Sequence, residues 1–107
     1  MSRTRVTSFV AGMLLANSLP HLASAITGRR HMTPLAGRRS DGPVNGVWAA
    51  INIAAGLALL LPSRAKGGQQ WDRDLSAFEL GSVTFATWMA GSELVSAMNS
   101  SETGRDD

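Results

Sequence analysis

Two stretches of this chain carry no charged residue: Val6 to Gly28 and Gly42 to Ser63. Each is longer than the ~20 residues a helix needs to cross a hydrocarbon core of about 30 Å. A helix on a water-facing surface shows a charged stripe over such a length, and neither stretch does. They predict two membrane-spanning helices, at about residues 6–27 and 44–61. Gly42-Pro43 precedes the second and Pro62 follows it, as start and stop signals.

The charges collect between these runs. "GRRHMTPLAGRRSDG" reads as a basic loop over 28–43, "SRAKGGQQWDRD" falls in a polar loop over 62–75, and the end of the chain reads as a polar tail over 99–107. The net charge of +2 is small, and no basic face is interleaved with aromatics, which argues against nucleic acid as a partner. Arg29, Arg30, Arg38 and Arg39 read instead as lipid-headgroup contacts. Cysteine is absent, so disulfides, thiolate catalysis and cysteine metal sites are excluded. Nine of the ten basic residues are Arg, a usage that points to a GC-rich bacterial genome and hence to the bacterial inner membrane.

A third segment, about residues 76–98, is more polar, with thirteen uncharged residues between Glu79 and Glu93. These acids are nearly four helical turns apart and fall on one face with Ser82, Ala86 and Ala90. Phe78, Phe85 and Met89 fall elsewhere. A narrow stripe of acids and small residues suits a spanning helix turned toward partner helices, where an interfacial helix would show a broad basic face. The expected fold is all-α: one membrane domain, a bundle of three transmembrane helices. With three spans, five basic residues lie on each side, so the positive-inside rule barely discriminates; the short, dense first loop favours the cytoplasm.

Each of the first two segments carries a polar stripe. Met13, Asn17, His21 and Ser24 share a face of the first; Asn45, Ala49, Asn52 and Gly56 share a face of the second. At 1.5 Å per residue, Asn17 and Asn52 lie near mid-depth, with His21, Asn45 and Glu93 toward the first loop. These five residues form the expected polar intramembrane cluster. Pro20 removes a backbone donor, which predicts a kink opening the helix near Ala16, its carbonyl satisfied by Asn17 or Asn52.

A rival reading of the first segment is a signal peptide. Arg3 and Arg5 supply a basic start, Val6 to Ala16 an apolar stretch, and Ala23-Ser24-Ala25 an A-x-A cleavage pattern. Against it, the uncharged run passes through Gly28 and carries aligned polar residues. The pieces "ANSLPH", "TPL" and "NGVWAAIN" also resemble a group of small uncharacterised bacterial multi-pass membrane proteins. Those proteins carry A-N-x-x-P-H in the first helix and N-x-x-W-[GA]-x-x-N in the second. The matching residues are Ala16, Asn17, Pro20, His21, Gly28, Thr33, Pro34, Leu35, Asn45, Trp48, Ala49 and Asn52. The Arg pairs of the loop and the acidic third segment depart from that pattern. The resemblance implies that the first segment is retained, and it brings no activity.

One His and one Glu within reach are too few ligands for zinc. No nucleophile triad appears, and Gly67-Gly68 lacks the lysine of a phosphate loop. No catalytic residue, metal or cofactor is implied. The expected role is a non-catalytic accessory or scaffold subunit, with the lipid bilayer and another membrane protein or a second copy as partners. The alternative is a small oligomeric proton- or ion-coupled transporter or channel using His21 and Glu93.

Overall fold

The computed structural model describes residues 2–37, 39–95 and 100–101. It contains three long helices: α1 (Arg3–Thr27), α2 (Gly42–Ala65) and α3 (Gly68–Val95). Two-residue strands β1 (Arg30–His31) and β2 (Ser100–Ser101) pair antiparallel, Arg30 opposite Ser101 and His31 opposite Ser100. Helix α1 packs along both α2 and α3, which scarcely touch each other. It runs antiparallel to α2 and parallel to α3, so the order is up-down-up.

The helix ends follow from local chemistry. The Ser2 side chain caps α1 by accepting from the Arg5 N–H, and Gly28 ends it with φ +75° while its N–H bonds the Ser24 carbonyl. Asp41 caps α2 through the Val44 N–H, with Pro43 in the first turn where no donor is needed. Gly67, at φ +104°, reverses the chain into α3.

Three boundaries differ from the sequence expectation. Helix α2 runs through Pro62 to Ala65, although Pro62 forfeits the hydrogen bond to the Ala58 carbonyl. Helix α3 begins at Gly68, eight residues before 76, so the expected polar loop 62–75 is almost entirely helical. Arg64, Lys66, Asp72 and Arg73 are exposed there, where charges are compatible with a helix, and Asp74 alone of this stretch's charges is buried. The expected tail contains β2; residues 96–99, 102–107 and Arg38 lie outside the described residues.

Burial is inverted relative to a water-soluble bundle. The buried apolar side chains are Ala11, Ala49 and Ala77, accompanied by Ser, Thr, Asn, His and Asp. The large apolar side chains point outward: Leu19, Ile26, Val47, Leu57, Leu61, Leu80, Val83, Trp88 and Leu94 are all exposed. Small residues let the backbones approach closely. A Cβ at Gly81 would fall on the Phe9 carbonyl, one at Gly12 on the Phe78 carbonyl, and one at Gly56 against Leu15.

The packed face of α3 is not the expected one. Asp74, Ala77 and Gly81 are buried, with Phe78, Ser82, Phe85 and Met89 half-buried; Glu79, Ala86 and Ala90 are exposed. The contacting glycines set the rotation of the helix, and the Phe and Met side chains fill the seam around them. Glu93, half-buried near the helix end, alone of the two acids turns toward the bundle.

Candidate functional site

The expected polar residues of α1 and α2 form two rungs. In the deeper one, Asn17 Nδ2 donates to Asn52 Oδ1 at 3.1 Å, and Asn52 Nδ2 donates to the Trp48 carbonyl at 2.8 Å. In the rung nearer the loop, His21 Nδ1 lies 2.5 Å from Asn45 Oδ1. Asn45 Nδ2 donates to the Ser40 and Asp41 carbonyls, at 3.0 and 2.9 Å. That commitment fixes the amide: only its oxygen faces the imidazole, so His21 Nδ1 must carry the proton and donate. A neutral His21 ring then keeps a lone pair on Nε2.

The side-chain support expected around Pro20 differs from the one observed. Helix α1 is continuous through Pro20, and the amides of Asn17 and Asn52 bond each other and Trp48 rather than the carbonyl of Ala16.

The first loop does more than carry Arg pairs. It folds back as a cap over the α1–α2 end. Thr33 and Gly37 exchange backbone hydrogen bonds around a turn at Pro34-Leu35-Ala36, with Gly37 at φ +60°. Thr33 Oγ1 lies 2.7 Å from Ser40 Oγ and also accepts from the Leu35 N–H. The cap buries His31, whose ring meets His21 edge to face at 4.5 Å between centroids; Trp48 approaches His21 at 6.4 Å. Burial, with repulsion from His21, pushes the pKa of His31 down to about 4. Of the expected headgroup contacts, Arg29 and Arg39 are exposed and Arg30 is half-buried on β1.

Glu93 completes this end from α3. It lines an open groove of about 450 Å³ with Pro20, Ala23, Ser24, Thr27, Arg29, His31 and Met89. Thus Asn17 with Asn52, and His21 with Asn45, are joined by direct hydrogen bonds, whereas Glu93 shares a groove with His31. No group of three or more His, Cys, Asp or Glu suited to a metal occurs among the described residues.

No protein family, curated protein or solved structure matched the chain. The geometry therefore carries the functional reading.

A second polar site, at the opposite end, went unanticipated. Asp74 is fully buried where the start of α3 meets the start of α1 and the end of α2. Its Oδ2 accepts from Ser63 Oγ at 2.8 Å and from Gln70 Nε2 at 3.0 Å. Gln70 Nε2 also reaches Thr4 Oγ1 at 3.1 Å. Asp74 Oδ1 has no hydrogen bond, and Arg5 Nε stands 4.0 Å away. Burial disfavours the charged carboxylate, whereas the hydrogen bonds from Gln70 and Ser63 and the Arg5 charge favour it. Arg64 lies over the Trp71 ring at 5.8 Å and further ties α2 to α3. The apolar pattern of the sequence passes over a helix whose first two turns are polar.

Proposed function

We propose that this chain is an integral membrane protein of three spans that serves as a non-catalytic accessory or scaffold subunit, in a bacterial inner membrane. The observation that carries the reading is the inversion of burial. Helices α1 and α2 are each long and apolar enough to cross a membrane. All three helices turn Leu, Ile, Val or Trp outward and Ala, Gly and polar groups inward. In water such a surface would associate; in lipid it is the solvated face. On α3, Leu80, Val83, Trp88 and Leu94 supply that face, which supports a third span despite Glu79.

The polar interior also favours a structural role. The two rungs are hydrogen-bonded in place, and the seam along α1 is closed by small residues. That arrangement holds the helices together. The partner is another membrane protein or a second copy, bound through the exposed apolar faces. Transport using His21 and Glu93 is the second reading, favoured by the groove that Glu93 shares with His31.

Cysteine accessibility tests the topology, and the cysteine-free chain gives a clean background. Single cysteines replacing Leu35, Lys66 and Thr103 are labelled in intact vesicles with an impermeant reagent. Three spans place Leu35 and Thr103 on one side and Lys66 on the other. Labelling of Thr103 together with Lys66 would leave α3 on the surface. Purification in mild detergent then separates the roles. A stable co-purifying protein or a discrete oligomer supports the scaffold; pH-dependent ion flux in liposomes holding this chain alone supports transport.

A further inference from the structure

The helix register brings one more group to Asp74. Gln70 bonds Thr4, and the Phe78 carbonyl abuts Gly12. Both pairs are offset by 66 residues along the parallel α1 and α3. The same offset sets Ser8, one turn beyond Thr4 and one before Gly12, level with Asp74. Ser8 is fully buried, and its Oγ has no hydrogen-bond partner. A buried hydroxyl and a buried carboxylate oxygen without hydrogen bonds therefore stand at one level of the α1–α3 seam. Each omission is costly by itself. Ser63 Oγ, from α2, bonds the other oxygen of this carboxylate, Thr4 Oγ1 shares Gln70 Nε2 with it, and Ala77 on the next turn of α3 adds only a methyl group.

We propose that Asp74 Oδ1, Ser8 Oγ, Ser63 Oγ and Thr4 Oγ1 form a binding site for a small monovalent cation of the sodium type. The donor set is all oxygen, which suits a hard cation and not a soft one. A single carboxylate matches a single positive charge, whereas divalent sites of this kind gather several carboxylates. Ser63 donates its proton to Asp74 and keeps lone pairs for a cation, and the unbonded Ser8 hydroxyl is free to turn its own. Arg5, whose side chain is partly exposed, meets the carboxylate only at the limit of ion-pair distance. It acts as a displaceable counter-ion that leaves toward solvent when the cation enters. The site is separate from the His21 end of the bundle and does not depend on the scaffold reading.

Binding of radioactive sodium to the purified full chain in detergent tests the site, with helicity followed by circular dichroism. The expected result is saturable binding, displaced by unlabelled NaCl and not by choline chloride at equal ionic strength. Asp74→Asn should abolish it. Ser8→Ala, which removes one atom from a packed face, should weaken it at least ten-fold with the helices intact. Arg5→Gln, removing the competing cation, should tighten it several-fold. No saturable binding to the wild-type chain would overturn the proposal. So would binding that survives Asp74→Asn, or that is unchanged in a folded Ser8→Ala variant.

Discussion

The imidazoles of His21 and His31 meet edge to face, 4.5 Å apart at their centroids, one from helix α1 and the other from the loop folded over that helix's end. Both are buried, and Asn45 and Trp48 of α2 close the pair from the other side. Glu93 of α3 lines the groove that reaches His31, with Arg29 at its rim.

The pair makes the cap sensitive to acid. Burial first, and His21 second, hold the pKa of His31 at about 4. The unfolded value is about 6.5, so the unfolded loop takes up a proton first. His31's contribution is therefore complete above about pH 6.5 and lost as pH falls toward 4, by about 2 kcal/mol at pH 5. Amide hydrogen exchange at Gly37 and Ser40, corrected for intrinsic rates, should show lower protection at pH 5 than at pH 7. His31→Phe should remove the difference. Equal protection of the wild-type cap at both pH values would contradict this.

Asn45 and Asn52 occupy corresponding places in the two rungs but differ in what they hold. Asn45→Ala strips the partner from a buried imidazole N–H and the donors from two carbonyls; a loss of about 2–4 kcal/mol is expected. Asn52→Ala takes the acceptor from the half-buried Asn17 amide and one donor from the Trp48 carbonyl, and about 1 kcal/mol is expected. Thermal unfolding in a single detergent ranks them. An Asn52→Ala loss as large as that of Asn45→Ala would contradict this ranking of the two rungs.

The polar rungs were legible in the sequence because helical spacing fixes which residues share a face. Asn17 and His21 are one turn apart, as are, at two turns, Asn45 and Asn52. Their pairing across α1 and α2 then needs only an antiparallel turn. The α3 face was misread for a related reason. The stripe from Glu79 to Glu93 is real, but polarity alone does not say which side of a helix packs. Gly81 against Phe9 and Gly12 against Phe78 decide that, and a glycine gives no hydropathy signal. His31 and Asp74 were missed because each lies in a stretch whose charges read as loop. Their burial depends on a folded cap and on an α3 that starts eight residues early.

The three tryptophans report on which surface lipid covers. Trp88 is 65 % exposed on α3, whereas Trp48 and Trp71 are half-buried. Trp88 lies fourteen residues beyond Asp74, roughly 20 Å along the helix, which places it within the hydrocarbon if α3 spans. In bilayers of lipids brominated on their acyl chains, a variant retaining only Trp88 should be quenched more than variants retaining only Trp48 or Trp71. Quenching of Trp88 by aqueous acrylamide instead would place this face of α3 in water.

The close approach of α1 and α3 at Gly81 also predicts a contrast between two glycines of one helix. A Cβ at Gly81 would fall on the backbone carbonyl of Phe9, which no side-chain rotation relieves. At Gly91, ten residues later, the same atom meets nothing within 4 Å. Gly81→Ala must therefore push α3 away from α1, opening the seam along Ala77, Phe78 and Ser82. A loss of about 2–4 kcal/mol is expected, in the range of other disruptions of packed interiors. Gly91→Ala should leave stability unchanged or raise it by up to about 1 kcal/mol, since alanine favours the helix. The displacement should also reach the far polar site. Asp74 lies two turns from Gly81 on the same packed side, so Gly81→Ala should expose it to solvent. That change is read by solvent paramagnetic broadening at the Asp74 side chain. A Gly81→Ala variant as stable as Gly91→Ala would mean that α1 and α3 do not cross at this point.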